Sequence, residues 1–408
     1  MNMRFYAKLM VATILAALLF SCNKENTPKS KNYINLSVIG NNTITEDSKD
    51  PINVNILLAR AVDNDVNIFF ELEGNTNDIL RIENSPVTIK KGEKEGNFKV
   101  FSNNKGILSV AKNVIVKVKS FSDDSLEPFG ESPIIVIKPN SNIPELTQNQ
   151  ISLIKGYKDN LNIDLYRIIG ELNYSVKITF PSDDKDLFNN GNDTKNIEGK
   201  TIITLSEKAT ADKPIIKMID NPMGLNDFLY EMLRKETTED VNESWYLQPY
   251  PIAAMKAINF DKQKETFSST LDNIVLSAGE FNFIGEKTGY SSGNTVNVVP
   301  FDFKYSAWDR LLQKAEAGET AIVDDGESQT EYSLSDLITQ GASLDPYDYL
   351  FTSDISSDNW ENEPSDWVAP NGVYNFNNGT FTFTFAFDHV MSYGYCKIEV
   401  KYTMHPQE

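Results

Sequence analysis

Cysteine and histidine are the scarcest reactive residues of this chain: Cys22, Cys396, His389 and His405 are all it has in 408 positions. A disulfide framework needs more thiols than that, so stability has to come from hydrophobic packing. Cys396 alternates with Tyr395 on a predicted strand and reads as a small buried hydrophobe. His389 directly follows Asp388, which on a strand sends the two side chains to opposite faces, and His405 sits so near the end that no ordered role is expected of it. With no nucleophile-elbow sequence either, a Ser/His/Asp enzyme has nothing to support it. Positive charge is also short, 38 Lys and Arg against 58 Asp and Glu for a net −20. Such a surface cannot neutralise phosphates, which excludes nucleic acid as a partner.

The longest apolar run, Leu9 to Phe20, is shorter than the roughly 20 residues a spanning helix needs. Arg4 and Lys8 precede it and Ser21-Cys22-Asn23-Lys24-Glu25-Asn26 follows, the layout of an export signal. Leu19-Phe20-Ser21-Cys22 resembles the lipobox of bacterial lipoproteins. That resemblance implies a signal peptide over 1–21, lipid on Cys22, a polar tether over 22–30 and an outer-membrane protein facing the cell surface. Acyl chains contribute about 0.8 kcal/mol per buried methylene, so the N-terminal lipid is the expected link to the membrane, while the acidic body stands off anionic lipid.

From Tyr33 onward apolar and polar residues alternate, as in Ile52-Asn53-Val54-Asn55-Ile56, Val66-Asn67-Ile68-Phe69-Phe70 and Val114-Ile115-Val116-Lys117-Val118. Period two gives each strand one apolar face that must meet a second sheet. The predicted fold class is therefore mainly all-β, built of tandem immunoglobulin-like β-sandwiches followed by a β-rich C-terminal domain with short helical insertions. Asp159–Leu165 echoes Asp50–Ile56, Val176–Phe180 echoes Val66–Phe70, Ile203–Leu205 echoes Val87–Ile89, and Ile215–Lys217 echoes Phe98–Val100. These echoes predict two related sandwiches, residues 31–138 and 145–220, joined through Pro139-Asn140-Ser141-Asn142-Ile143-Pro144. Their phrasing, including Ile89-Lys90-Lys91-Gly92-Glu93-Lys94-Glu95-Gly96-Asn97-Phe98, resembles Calx-β and related immunoglobulin-like modules.

Calx-β modules of exchangers bind calcium through clustered acids, and those acids have no matching positions here. Asp183-Asp184-Lys185-Asp186, Asp324-Asp325-Gly326-Glu327 and Asp345-Pro346-Tyr347-Asp348 offer oxygen ligands but lack the spacing of an EF-hand loop. No cofactor is expected, and calcium has no specific motif behind it.

Beyond Asp220 the pattern changes, predicting a domain over 221–408. Asn221-Pro222 opens a helix near 222–236, with Leu225, Phe228, Leu229, Met232 and Leu233 on one stripe. A second helix is predicted near 307–317, with Ser306 and Asp309 as a capping box, and a third, shorter one from Ser333-Leu334-Ser335-Asp336. Asn378-Gly379 marks a hairpin, and Phe381, Phe383, Phe385 and Phe387 fall on one face as a core wall.

All four tryptophans, Trp245, Trp308, Trp360 and Trp367, lie in this last region. Trp308 belongs to its helix. Trp360 and Trp367 stand among acids and amides, and Trp245 with Tyr246 lies in a similar stretch. Indoles and phenols stack on pyranose rings while carboxylates and amides meet the hydroxyls, which makes these four the candidate ligand-binding residues.

The layout resembles cell-surface lipoproteins of the Bacteroidetes, including those of polysaccharide-utilisation systems, in which N-terminal sandwiches act as spacers and the terminal domain binds glycan. The expected function is thus a membrane-anchored, non-catalytic binder of a polysaccharide or other surface ligand. An adhesin or assembly component binding protein is the alternative, and a glycoside hydrolase using paired carboxylates the third.

Overall fold

Two structural units arise from two different uses of the same alternation. The computed structural model describes residues 31–108, 110–181, 189–239, 247–288, 295–350, 352, 370–388 and 395–407. Among the described residues no helix is long and apolar enough to cross a membrane.

The first unit contains β1 (Asn32–Ile39), β2 (Thr43–Thr45), β3 (Ile52–Leu58), β4 (Val66–Glu73), β5 (Leu80–Ile82), β6 (Val87–Ile89), β7 (Glu95–Ser102), β8 (Lys112–Phe121), β9 (Leu126–Pro128) and β10 (Ile134–Lys138). They form two five-stranded sheets, β5-β7-β3-β1-β9 and β2-β10-β8-β4-β6. Alternate residues such as Val54, Ile56, Ile68, Val114 and Val116 are buried between the sheets, each contributing about 1.5–3 kcal/mol. Phe70 and Phe98 stack across the interlayer with centroids 4.3 Å apart. At Gly96 the sheets approach so closely that a methyl group would strike Ile89 Cδ1.

The second unit opens with α1 (Gln148–Gly156), whose Thr147 and Gln150 form a reciprocal capping box. The helix runs on through a wide turn at Tyr157–Leu161 and a short one at Leu165–Arg167. The expected strand over Asp159–Leu165 is therefore absent: it is helical to Leu161, irregular over Asn162–Asp164 and turns again from Leu165. The helix cap lies upstream at Thr147, and Ile154 and Tyr157, three residues apart, are buried on one helical face, a signal that outweighs local alternation.

Strands β11 (Gly170–Thr179), β12 (Thr194–Leu205), β13 (Ile215–Asp220), β14 (Phe267–Ser277), β15 (Glu280–Phe283), β18 (Phe301–Tyr305), β21 (Asn371–Asn375), β22 (Thr380–Asp388) and β23 (Tyr395–Thr403) make one sheet. Its order is β13-β12-β11-β23-β22-β21-β15-β14-β18. Because β13 also pairs with β14, all of these except β18 close into a barrel-like ring and hide their edges. Two small hairpins, β16 (Glu286–Thr288) with β17 (Thr295–Asn297) and β19 (Thr320–Asp324) with β20 (Gln329–Ser333), stand apart from it.

This ring corrects the expected division at residue 220. Residues 145–220 are not a separate sandwich, since β11 pairs with β23 and one core runs from Leu146 to Met404. Nor is the repeat a topological one: β7 lies in a different sheet from β6, whereas β13 pairs directly with β12. Alternation sets which face of a strand is buried but not which strand lies beside it.

Helices α2 (Asn226–Thr237), α3 (Pro249–Ala257), α4 (Ser306–Glu316), α5 (Leu334–Leu337) and α6 (Pro346–Tyr349) complete the unit. Phe228 of α2 packs on Phe387, 5.3 Å between centroids, and Phe381, Phe383, Phe385 and Phe387 are all buried. The Ser306–Asp309 capping box does not form. Ser306 Oγ instead donates to Glu265 and accepts from the Thr266 amide. Ser333 does cap α5, accepting from the Asp336 amide.

Register also fixes the direction of the assembly. In the first unit β1 starts beside Leu126, while the ends of β7 and β10 and the start of β8 reach the opposite end. That opposite end meets the barrel at Gly170 and Glu171, beside Gly106. The other barrel end holds Thr179, Thr194, Asp388 and Tyr395.

Candidate functional site

The junction between the units is built on a buried carboxylate. Glu46 is fully buried and accepts from the amides of Leu108 at 2.8 Å and Ile107 at 3.2 Å. Burial raises its pKa above the usual carboxylate value, against the pull of those two amides. The Ser102 hydroxyl donates to the Glu46 carbonyl, which ties the 103–111 segment to the sandwich. On the barrel side Glu171 pairs with Lys200 and accepts from Asn140 Nδ2 at 3.3 Å. Gly106, at φ +64°, lies so close that an added Cβ would sit 2.8 Å from Glu171 Oε1. A side chain there would need a left-handed backbone and would have to displace the Glu171 carboxylate.

Opposite this wall, Arg167 and His405 lock to one another. The His405 amide donates to the Arg167 carbonyl at 2.9 Å and Arg167 Nε donates to the His405 carbonyl at 3.1 Å. His405 Nε2 lies 3.0 Å from the Ile169 carbonyl, and the residue is only 7 % exposed. Burial pulls its pKa down to about 4, opposed by the Ile169 carbonyl and Glu171 and reinforced by Arg167. The imidazole is therefore neutral at pH 7. Expecting no ordered role for His405 is corrected by this lock, and no pattern in the sequence announced it: alternate burial over Cys396, Ile398, Val400, Tyr402 and Met404 would leave position 405 on the other face.

Between the two walls lies a cleft of about 330 Å³. Ile107, Leu108 and Val110 form its sandwich side, Tyr166 and Pro406 its barrel side, and Asn77, Lys112, Lys158, Asp164, Arg167 and His405 its polar lining.

Cys22, Trp245, Tyr246, Trp360 and Trp367 lie outside the described residues, as do His389 and the Asp183–Asp186 cluster. Trp308 is half-buried against the barrel core, and Cys396 is a buried free thiol. The acids of Asp324–Glu327 serve their own turn: Asp324 Oδ1 accepts from the Gly326 amide and Asp325 Oδ1 from those of Glu327 and Ser328. Asp345 caps α6 through the Tyr347 amide. Among the described residues no three His, Cys, Asp or Glu side chains gather in a group able to hold a metal ion.

The model of the family described as Domain of unknown function (DUF8472) matches residues 144–403, the stretch that closes into the barrel. The chain belongs to that family. Ahead of the DUF8472 barrel, residues 29–142 match a second one, Domain of unknown function (DUF4929), which corresponds to the sandwich. No curated protein matches the sequence.

Among solved structures, the chain is similar to a two domain protein with unknown function (BF3416) from Bacteroides fragilis NCTC 9343. The two are 11 % identical, with 54 % of this chain and 70 % of that one covered and a TM-score of 0.23. It is similar as well to the calcium binding domain CBD12 of CALX1.1, at 10 % identity, 47 % and 83 % coverage and a TM-score of 0.22. At TM-scores this low neither likeness defines the fold, and the calcium binding is that protein's.

Proposed function

We propose that the chain is a membrane-anchored, non-catalytic protein of a Bacteroidetes-type cell surface that presents the outer end of its DUF8472 barrel to a glycan. The observation carrying this reading is directional. Strand β1, where the chain enters from Cys22, starts at the end of the sandwich away from the barrel, and the barrel begins where the sandwich stops. The segment 353–369, with Trp360 and Trp367, rejoins the structure at Pro370, just before Asn371, which pairs with Thr384 in the middle of β22. The segment 240–246, with Trp245 and Tyr246, follows α2, whose Tyr230 stacks on Phe267 at 5.4 Å. An anchor at the far end of the sandwich with the barrel beyond it is the layout of a displayed binding protein, and the indoles of the barrel family's region are its expected stacking rings.

The test has two parts. Mass measurement of the mature protein from cells should give a lipidated Cys22 as first residue. Replacement of Trp360 and Trp367 by Ala should abolish retention on immobilised polysaccharides without lowering the melting temperature. Unchanged retention would remove the stacking role, and an unmodified thiol at Cys22 would remove the anchor.

A further inference from the structure

The cleft between sandwich and barrel differs in charge from the rest of the molecule. Lys112, Lys158 and Arg167 line it against the single carboxylate of Asp164, in a chain with 38 basic and 58 acidic residues. Behind its wall Glu46 accepts from backbone amides and lies in the field of Lys112, and Glu171 pairs with Lys200. Arg167 directs its guanidinium to the carbonyls of His405 and Phe376, which carry no net charge to offset it.

Asp164 adds a second requirement. Its Oδ2 pairs with Lys158 at 2.7 Å, while Oδ1 is buried with no hydrogen-bond partner. A buried acceptor left unmade costs about 1–3 kcal/mol, so an occupant that donates a hydrogen bond there is favoured. Ile107, Leu108 and Val110 supply an apolar wall, and junctions between domains are common places for small-molecule sites.

We infer that this cleft binds a small hydroxylated carboxylate, the chemistry of a sugar acid. Its carboxylate lies in the field of Lys112 and Arg167, a hydroxyl donates to Asp164 Oδ1, and the C–H face of the ring covers the Ile107–Leu108–Val110 wall. A simple fatty carboxylate lacks the hydroxyl, and a neutral sugar lacks the charge. The site is separate from the outer barrel end and does not depend on stacking by tryptophan.

The experiment is calorimetric titration of the full chain with glucuronate, glucose, butyrate and glutamate. Glucuronate should bind with a dissociation constant on the order of 1 mM, at least about tenfold tighter than the other three. Lys112→Gln should weaken glucuronate about fivefold or more, and Asp164→Leu, which removes the acceptor at similar volume, should do the same by a different route, both with the circular dichroism of the parent. The Trp360→Ala, Trp367→Ala protein should bind glucuronate as well as the parent does. Glucose or butyrate binding as tightly as glucuronate, glutamate binding more tightly, no heat with glucuronate, or unaltered affinity in both cleft variants would each overturn the inference.

Discussion

His405 allows a quantitative test of the junction. Free of the fold its imidazole titrates at 6.5, and within it at about 4. The unfolded chain therefore takes up the proton first on acidification, so this group's contribution is complete above about pH 6.5 and is lost as pH falls toward 4. Linkage between those two values makes the loss about 2.5 kcal/mol by about pH 4.5, and the residue is too buried for solvent to screen much of it. Urea unfolding at about pH 8 and about pH 4.5 measures it, with His405→Gln as the reference. Glutamine keeps a donor for the Ile169 carbonyl but cannot titrate, and every carboxylate contributes equally to both proteins. The parent should lose about 2.5 kcal/mol more than the variant over this interval. Equal losses would refute the assignment of a buried neutral imidazole to the junction.

Three further substitutions probe the packing. Phe383→Ala removes a fully buried ring from the β22 wall and should cost about 3–5 kcal/mol in chemical denaturation. Gly224→Ala places a Cβ against the Tyr174 ring at φ +71°, so a loss of about 1–3 kcal/mol or more is expected in melting experiments. Arg310→Met breaks a bidentate pair with Glu265, whose side chain is 3 % exposed. Stranding that carboxylate should cost toward the lower end of about 3–5 kcal/mol, and Glu265→Gln made in the same protein should recover part of it.

These sites differ in how far they could be read from the chain alone. The phenylalanine wall was legible because alternation is a local property: Phe381 to Phe387 fall on one side of any strand. The helix at Ser306–Glu316 was legible from its apolar spacing, whereas its cap was not, because Ser306 is taken by Glu265, 41 positions away. The cleft could not be read at all. Lys112 and Asp164 meet only because β8 and the turn before β11 arrive at the same junction, and no spacing in the sequence records that.

What the sequence by itself determined is the kind of surface each segment carries: alternating strands, striped helices, an acidic exterior, and too few thiols and imidazoles for the chemistries that need them. These follow from which side chains leave water, a choice made within a few residues. Only the tertiary structure decided that residues 144–403 close into one barrel and not two successive domains, because closure rests on β11 meeting β23 and β13 meeting β14. Pairing between distant strands depends on how the whole set shares one core, and the same alternation would have suited many partners.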